Sequence, residues 1–406
     1  MYIARHMEKT VRRMSKDFPV LLLTGPRQVG KSTLLRERFP DIPYVTLDDR
    51  VVLSALRTDA RGFFSDRGTP LILDEIQRDA DVFLDIKYMV DSGRKPGMYI
   101  LTGSQKYELM QGVSESLAGR IGILNLLGVS ARELAGDAFD EPFFPSAYFL
   151  KARQSSLKKK KTDLWKRIHR GSLPELNANP RMDWDAYYSA YVNTYVERDV
   201  RQLTQVGDTL AFMRFMTALA ARTGELLNLH AMASDCGIDD KTAKRWLSIL
   251  QASGLVYLLK PFSLNINKRI VKTPKAYITD TGLVCHLGRW LTPETAANGA
   301  MAGNLFETWV VTEILKSWYH AGKEPDMYFF RNTDKQEVDL LFYRDNTLYP
   351  VEIKKTASPN VKDAKTFRTL KTFFPTVGIG EGGIICNYPE LSILAEGIRT
   401  IPVGLL

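Results

Sequence analysis

A glycine-rich stretch near the N-terminus has the residue types and spacing that a bound triphosphate requires. Residues 25–32 have the sequence GPRQVGKS and fit the pattern G-x-x-x-x-G-K-[ST], between a predicted strand and a predicted helix. Glycines allow consecutive backbone N–H groups to turn inward around an anion, and a helix N-terminus adds partial positive charge. The residues predicted to bind the nucleotide are Gly25, Pro26, Arg27, Gln28, Val29, Gly30, Lys31, Ser32 and Thr33.

Two carboxylates farther along the chain complete this predicted site. Asp74 and Glu75 end the apolar run PLILDE, which predicts a buried strand. We expect Lys31 to contact the β- and γ-phosphates, and the Ser32 hydroxyl to bind Mg²⁺ together with Asp74. Glu75 is then placed to polarise the attacking water. The loop and the carboxylates together predict a magnesium-dependent nucleotide site.

Other candidate catalytic residues lie in and after the next predicted strand, MYILTGS. Thr102 and Ser104 lie where a side chain can sense the γ-phosphate, although an ordinary turn at a strand end accounts for them as well. Arg120, in SLAGRIG, can supply positive charge to the transition state in the same chain or in a neighbouring subunit. The alternative for Arg120 is a surface arginine without a catalytic role.

The order and spacing of these motifs resemble a large prokaryotic family of AAA+ ATPases with a C-terminal domain of unknown function, the DUF4143 group. The N-terminal motifs are GPRQVGKS, LDD, LILDEIQR, LTGSQ and SLAGRIG, and the tail matches in GNLFETWVVTEI and EVDLLFY…YPVEIKKT. The resemblance covers nearly the whole chain. It implies ATP or ADP as the nucleotide, with Mg²⁺, and ATP hydrolysis, but no particular biological role.

Length and periodicity predict an α/β protein of several parts. A chain of 406 residues exceeds one ordinary domain. Short apolar runs that alternate with helical segments predict a parallel-sheet P-loop domain, AAA+ by resemblance, over residues 1–135. Near its end, Ser130 and Glu133 have the spacing of a capping box, which predicts a helix start. We expect a linker or loop at 136–162, a helical and winged-helix domain at 163–290, and an α/β restriction-endonuclease-like domain at 300–406.

Two amphipathic stretches in the middle region predict a helix-turn-helix. Apolar residues recur at helical spacing in NLHAMASDCG and DDKTAKRWLSILQASG, with a Gly-containing turn between them. Two short strands around SLNINKRIVKTP would complete a winged helix. The predicted wing holds Lys268, Arg269, Lys272 and Lys275. The polar face of the second helix carries Lys241, Lys244 and Arg245, which suits DNA phosphates. The alternative is a lid that reports the nucleotide state.

Acidic and basic residues of the tail have the spacing of a metal-dependent nuclease site. EVDLLFY and LYPVEIKK predict a hairpin on which Asp339, Glu352 and Lys354 converge. Strict alternation along the first strand also predicts one face shared by Val338, Leu340 and Phe342. This D…E-x-K arrangement resembles the PD-(D/E)xK nucleases, which makes Asp339 and Glu352 candidate Mg²⁺ ligands and Lys354 a residue that orients water. Glu307, on the preceding helix, resembles the additional acid of the Holliday-junction resolvase branch. The alternative is a degenerate site with an ion pair.

The positive charge of the chain is concentrated in its middle. The net charge is +9, and residues 151–290 contain 23 Lys and Arg against 12 Asp and Glu. This excess favours DNA as a partner of the middle region, although a solvated basic face is the alternative. The nuclease-like pattern extends the expectation of DNA to the tail. No run of about 18 apolar residues predicts a membrane helix, and no apolar signal segment occurs at the N-terminus. Three scattered cysteines suit a cytoplasmic protein.

Two functions from different classes remain open from the sequence. The first is an ATPase that acts on or near DNA through its middle region and tail. The second is a nucleotide-switched signalling or scaffold protein, with an inactive nuclease-like tail that binds protein partners. In either case a homo-oligomer is possible, because an arginine such as Arg120 can act on a neighbouring subunit.

Overall fold

The N-terminal region is built on a parallel sheet. The computed structural model describes residues 2–79, 81–103, 116–157, 163–195, 209–264 and 273–406. The strands of this region are β1 (Val20–Thr24), β2 (Tyr44–Thr46), β3 (Leu71–Asp74), β4 (Tyr99–Gly103) and β5 (Ile121–Asn125). Its helices are α1 (Met7–Met14), α2 (Lys31–Arg38), α3 (Arg50–Thr58), α4 (Ala60–Arg67), α5 (Val82–Gly93) and α6 (Ala131–Leu134).

These strands all run parallel, in the order β2-β3-β4-β1-β5. Along β1, Leu21 and Leu23 face one apolar cluster, whereas Val20 and Leu22 face another, so both faces of the sheet are buried. The predicted fold class of this region is therefore confirmed. Because the strands are parallel, the carboxyl ends of β1, β3 and β4 lie at the same edge, where ligands bind in open α/β sheets.

The segment that follows is not the simple linker that the sequence predicts. The predicted capping box is present, since the Ser130 and Glu133 side chains each accept a hydrogen bond from the backbone N–H of the other. Residues Ala147–Ser156 then form helix α7, so the expectation of a loop over 136–162 is wrong for that part. Before it, the rings of Phe143 and Phe144 lie 5.9 and 5.8 Å from that of Phe342 in the tail. The two phenylalanines therefore pack this segment against the tail. Residues 158–162 lie outside the described part.

The middle region contains the predicted helix-turn-helix. Its helices are α8 (Leu164–Arg170), α9 (Pro174–Ala178), α10 (Trp184–Tyr195), α11 (Thr209–Ala220), α12 (Leu229–Cys236), α13 (Asp240–Ala252) and α14 (Thr281–Leu287). Its strands β6 (Glu225–Leu226), β7 (Val256–Leu259) and β8 (Lys275–Ile278) form an antiparallel sheet in the order β6-β8-β7. Asp239 caps α13 through the Thr242 N–H, and Trp246 and Leu250 are buried on its inner face.

The predicted wing is only partly described. Lys268, Arg269 and Lys272 lie outside the described residues. Lys275 begins β8, and only 4% of its surface is exposed, so it is not available to DNA as a solvent-exposed wing residue would be. The strand pairing of β7 with β8 agrees with the predicted hairpin, but assignment of a winged helix stays a prediction.

The tail combines a long helix with a mixed sheet. Its helices are α15 (Pro293–Asn298), α16 (Ala302–His320) and α17 (Leu370–Phe373). Its strands are β9 (Met327–Arg331), β10 (Glu337–Arg344), β11 (Thr347–Lys354), β12 (Gly378–Ile379), β13 (Gly382–Cys386), β14 (Ile393–Ala395) and β15 (Ile398–Pro402). The sheet order is β14-β15-β13-β11-β10-β9, with β12 beside β11.

A β-bulge interrupts β10 next to a predicted site residue. Val338 pairs with Phe330 and Leu341 with Tyr328, so β10 uses three steps where β9 uses two. As a result Val338 and Leu341 face one apolar cluster, and Leu340 faces the other. The prediction that Val338, Leu340 and Phe342 share one face is therefore wrong, because strict alternation fails across a bulge.

One apolar cluster extends through all three regions. It includes Leu23 from β1, Phe212 from α11, and Trp309 and Leu340 from the tail, and continues to Leu406. The domain boundaries predicted from the sequence stay predictions. In the described parts of the chain, no helix is both long and apolar enough to cross a membrane.

Candidate functional site

The loop between β1 and α2 has the backbone of an anion-binding turn. Gly25 and Gly30 have φ values of 143° and 90°, and Gln28 is also left-handed at 59°. A Cβ atom at Gly25 would lie 2.0 Å from the carbonyl oxygen of Leu126, so a side chain at that position is excluded. The Lys31 ammonium donates to the carbonyl oxygens of Gly25 and Pro26, at 3.0 and 2.8 Å. The lysine thus lies across the loop, at the end of the helix that a phosphate would approach.

Asp74 joins the loop to the neighbouring strands. The Ser32 hydroxyl donates to Asp74 Oδ1 at 3.0 Å, and the hydroxyls of Thr102 and Tyr44 donate to the same carboxylate. Asp74 is buried at the end of β3. Glu75 follows with a left-handed φ of 57° and accepts a hydrogen bond from the Gln77 amide. A hydroxyl and a carboxylate oxygen placed together are ligands that suit Mg²⁺.

A cavity of about 450 Å³ adjoins this loop. Its walls come from the N-terminal residues, from the loop and start of α2, and from helix α9 of the middle region. The lining residues are Tyr2, Ile3, Arg5, Gln28, Gly30, Thr33, Pro174, Glu175, Ala178, Asn179 and Met182. Arg5 also donates to the Val29 carbonyl oxygen at 2.8 Å and pairs with Glu133 at 3.1 Å, so it supports the loop from behind.

The remaining predicted residues of this site are placed differently. Arg120 precedes β5 and is level with Val20, at the amino end of the strands, roughly 15 Å along the sheet from the loop. Its guanidinium pairs with Asp91 at 2.6 Å. The structure therefore does not bring Arg120 to the loop of its own chain, and action on a neighbouring subunit stays a prediction. Ser104 lies outside the described residues.

Asp339, Glu352 and Lys354 converge in the tail, as their spacing predicts. Lys354 Nζ lies 3.2 Å from Asp339 Oδ2 and 2.7 Å from Glu352 Oε2. The backbone N–H of Ile353 donates to Asp339 at 2.8 Å. Asp339 and Glu352 are buried, whereas the Lys354 side chain is 38% exposed. The lysine therefore covers the carboxylates from the solvent side.

A second lysine, from the middle region, reaches the same carboxylates. Lys275 Nζ lies 2.6 Å from Glu337, 3.1 Å from Glu307 and 4.0 Å from Asp339. The Tyr277 hydroxyl also donates to Glu307, at 2.7 Å. We refer to Glu307, Glu337, Asp339, Glu352, Lys275 and Lys354 as the tail cluster.

Burial and neighbouring charges shift the pKa values of the tail cluster in opposite directions. Burial raises the pKa of Glu352, and the Asp339 carboxylate raises it further, to about 9, against the effect of Lys354. Burial also raises the pKa of Glu307. For Asp339, Lys354 and Lys275 outweigh burial and hold the pKa below its ordinary value. The surrounding carboxylates likewise outweigh burial at Lys275 and raise its pKa.

The carboxylates do not form a metal-binding group as they stand. Across the described ranges, no three His, Cys, Asp or Glu side chains are arranged to hold a metal ion. Glu307 bonds to Lys275 and Tyr277 instead of completing a site with Asp339 and Glu352. The Mg²⁺ site predicted for the tail stays a prediction: its acids are neighbours, and Lys275 and Lys354 pair with them.

Comparison with known proteins assigns the family. Residues 17–135 match an AAA domain, residues 161–294 a domain of unknown function (DUF8612), and residues 302–406 a domain of unknown function (DUF4143). The uncharacterized protein Rv2008c of Mycobacterium tuberculosis is 30% identical over 353 residues, which cover 86% of this chain and 74% of that protein. This chain belongs to the AAA ATPases with a DUF4143 tail. The uncharacterized protein Mb2031c of Mycobacterium bovis matches this DUF4143-tailed ATPase with the same figures.

Similarity to solved structures is more limited for this DUF4143-tailed ATPase. The Walker-type ATPase PABY2304 of Pyrococcus abyssi matches with a TM-score of 0.44 and 16% identity, over 69% of this chain and 94% of that chain. The resemblance stated from the motifs is confirmed for the AAA domain and for the tail. The likeness of the tail to the PD-(D/E)xK fold stays a prediction.

Sequence reasoning did not identify three residues of these sites. Tyr44 lies in β2, before the LDD motif and outside it, and Arg5 precedes the sheet altogether. Lys275 lies in a basic stretch whose other members suggest a wing. Each joins its site through a contact between residues distant in the chain, for which the local pattern carries no signal.

Proposed function

We propose that this protein binds Mg·ATP at residues 25–33 and hydrolyses it. The observation that supports this proposal is the hydrogen bond between Ser32 and Asp74, which joins the end of the loop to the end of β3. Lys31 is released from the loop carbonyls to bind the β- and γ-phosphates, and Thr102 senses the γ-phosphate from β4. Glu75 holds the attacking water. Ser32 and Asp74 hold Mg²⁺, which neutralises charge on the phosphates when bound.

The base and ribose of the nucleotide occupy the 450 Å³ cavity in this proposal. Ile3, Pro174 and Met182 offer apolar surface to a ring, and Gln28 and Asn179 offer amide groups to its edge. The cavity opens on Gly30 and Thr33, where the phosphates enter the loop. Adenine as the base rests on membership of the AAA family.

The test is nucleotide binding and turnover in a Lys31→Ala variant, with Lys16→Ala as a matched control. Lys16 is exposed on the same region and lies outside the loop. We expect Lys31→Ala to lose ATP turnover and to weaken the binding of a fluorescent ATP analogue, and Lys16→Ala to behave as the wild type. Unchanged turnover in Lys31→Ala would refute the site.

We further propose that nucleotide state is passed to the middle region at two contacts with the loop. The Tyr187 hydroxyl donates to Gln28 Oε1 at 2.9 Å. Gly254, just after α13, lies so close to Pro26 that a Cβ atom at Gly254 would be 2.9 Å from Pro26 Cδ. A change of loop shape on binding phosphate would therefore move α10 and α13.

A second proposed activity is contact with DNA through α13. Lys241, Lys244 and Arg245 are exposed on its outer face and form no ion pair with the described residues. Lysines and arginine on phosphates give an affinity that falls steeply with salt. Titration of a labelled duplex across salt concentrations tests this, with alanine at all three positions. The control removes the same charge at Lys16, Lys87 and Lys95 of the ATPase region.

Equal binding by the two triple variants would reject α13 as the contact. Absence of salt-dependent binding by the wild type would instead support the nucleotide-switched scaffold.

For the tail we propose binding rather than cleavage, because Lys275 and Lys354 already pair with the acids that would hold a metal. Cleavage of duplex, single-stranded or branched DNA that Glu352→Ala abolishes would overturn this part.

A further inference from the structure

Lys275 is an unusual lysine because its ammonium is buried between two regions of the chain. Its side chain is 5% exposed, it belongs to β8 of the middle region, and its partners Glu307 and Glu337 belong to the tail. Burying an unpaired ammonium costs several kcal/mol. The position is therefore stable only because carboxylates surround the charge.

Strand β8, which carries Lys275, presents two hydrogen-bond donors to the tail, the Lys275 ammonium and the Tyr277 hydroxyl. Lys275 and Tyr277 are two residues apart on β8, and side chains at that spacing point to the same face of a strand. Both donate to the same oxygen, Glu307 Oε1, at 3.1 and 2.7 Å. Glu307 is thereby held by a cation and a phenol from one strand.

The charges of the cluster are nearly balanced without any metal ion. Among the described residues, the acids are Glu307, Glu337, Asp339 and Glu352, and Glu352 keeps a proton at neutral pH because burial and Asp339 raise its pKa to about 9. The cations paired with this set are Lys275, Lys354 and Arg331. A divalent cation added to this set would lie next to the buried ammonium of Lys275 and the partly exposed ammonium of Lys354. It would enter only if Lys275 left, because like charges at such distances repel strongly in a buried site.

We propose that the carboxylates of the tail cluster form the binding site for the Lys275 ammonium, which takes the place of a divalent cation and fastens the middle region to the tail. This inference goes beyond ATP binding and hydrolysis and does not depend on them. It deepens the proposal that the tail binds rather than cleaves. The ligand is a primary ammonium of the same chain, recognised by carboxylates from α16 and β10.

The first experiment measures thermal unfolding of the nucleotide-free protein. Lys275→Met removes the charge but keeps most of the side-chain length, and Lys260→Met is the control at an exposed lysine just after β7. We expect Lys275→Met to lower Tm by about 6 °C or more, since a buried acid loses its partner, and Lys260→Met to leave Tm unchanged. Lys275→Arg should retain more stability than Lys275→Met.

A double variant tests the pairing itself. Glu307→Gln should restore part of the Tm lost in Lys275→Met, because it removes the acid that the first change leaves unpaired. The proposal is overturned if Lys275→Met has the Tm of the wild type, or if the two changes lower Tm independently.

The second experiment measures Mn²⁺ binding by calorimetry without nucleotide, in an Asp74→Asn background, which removes the carboxylate proposed to hold a cation at the loop. The parent should bind Mn²⁺ at least about 10-fold more weakly than its Lys275→Met derivative, in which the acids lack a cation. If Lys275→Met does not fold, the Mn²⁺ affinity of the parent alone tests the proposal, and weak binding supports it. Tight Mn²⁺ binding that Glu352→Gln abolishes would show that a metal, and not Lys275, is the ligand. Failure of ATP hydrolysis would leave either result unaffected.

Discussion

Removal of the Tyr44 hydroxyl tests how Asp74 is held in place. The Tyr44 phenol donates to Asp74, as do the hydroxyls of Ser32 and Thr102. Burial and the Asp74 carboxylate raise the pKa of Tyr44, so it remains a donor over the working pH range. A hydrogen bond to a charged group contributes about 1.5–3 kcal/mol. If that energy positions Asp74 for the cation, Tyr44→Phe should raise the Mg²⁺ concentration for half-maximal ATPase activity about 10- to 100-fold.

The matched control is Tyr99→Phe in strand β4. Tyr99 is fully buried, and its hydroxyl has no hydrogen-bond partner in the described structure, so the same chemical change removes no contact. Steady-state ATPase assays at saturating ATP and varied Mg²⁺ compare the two variants. Because the Tyr44 ring keeps its contact with Arg36, folding should persist, which a thermal melt verifies. An unchanged Mg²⁺ dependence in Tyr44→Phe would refute the positioning role.

Other substitutions probe catalysis, titration and coupling. Glu75→Gln should retain ATP binding but lower turnover about 10²- to 10⁴-fold, which paired binding and rate measurements would check. Since the pKa of Glu352 is raised to about 9, the folded chain keeps a proton that the unfolded chain loses near its ordinary pKa of 4.5. The free energy of unfolding should therefore fall as pH rises between these values, and Glu352→Gln should flatten that slope in melts from pH 5 to 9. Gly254→Ala should weaken ATP binding more than Gly237→Ala: both glycines have positive φ, but only Gly254 lies against Pro26.

Local signals predicted much of the nucleotide site. The loop, the buried strand before Asp74 and the capping box at Ser130 each depend on residues close in sequence, and the structure has all three. The strand pairing that brings Asp339 to Glu352 was also predictable, because a short turn fixes the register of a hairpin. Roles in catalysis for these residues stay predictions.

Features that depend on distant contacts were not predictable in this way. The bulge in β10 arises from pairing with β9, so the sequence of β10 alone suggested regular alternation. Lys275 looked like a wing residue because neighbouring lysines and arginines are usually solvated together. Its carboxylate partners lie 32 or more residues away in the sequence, as Glu307 does. Arg120 lies in a motif that suggested catalysis, yet it precedes β5 at the amino end of the strands, away from the loop.

The apolar cluster that continues from β1 to the last residue bears on how such proteins can diversify. Three family models divide the chain, but side chains from the different parts pack together in one apolar cluster. The rings of Phe143 and Phe144, for example, pack against Phe342 in the tail. A hybrid that exchanged only the tail with a distant relative would bring mismatched volumes together along that seam. Recombination at the boundaries between the three family models would thus lower the stability of the hybrid. Compensating substitutions would be expected in all three parts at once.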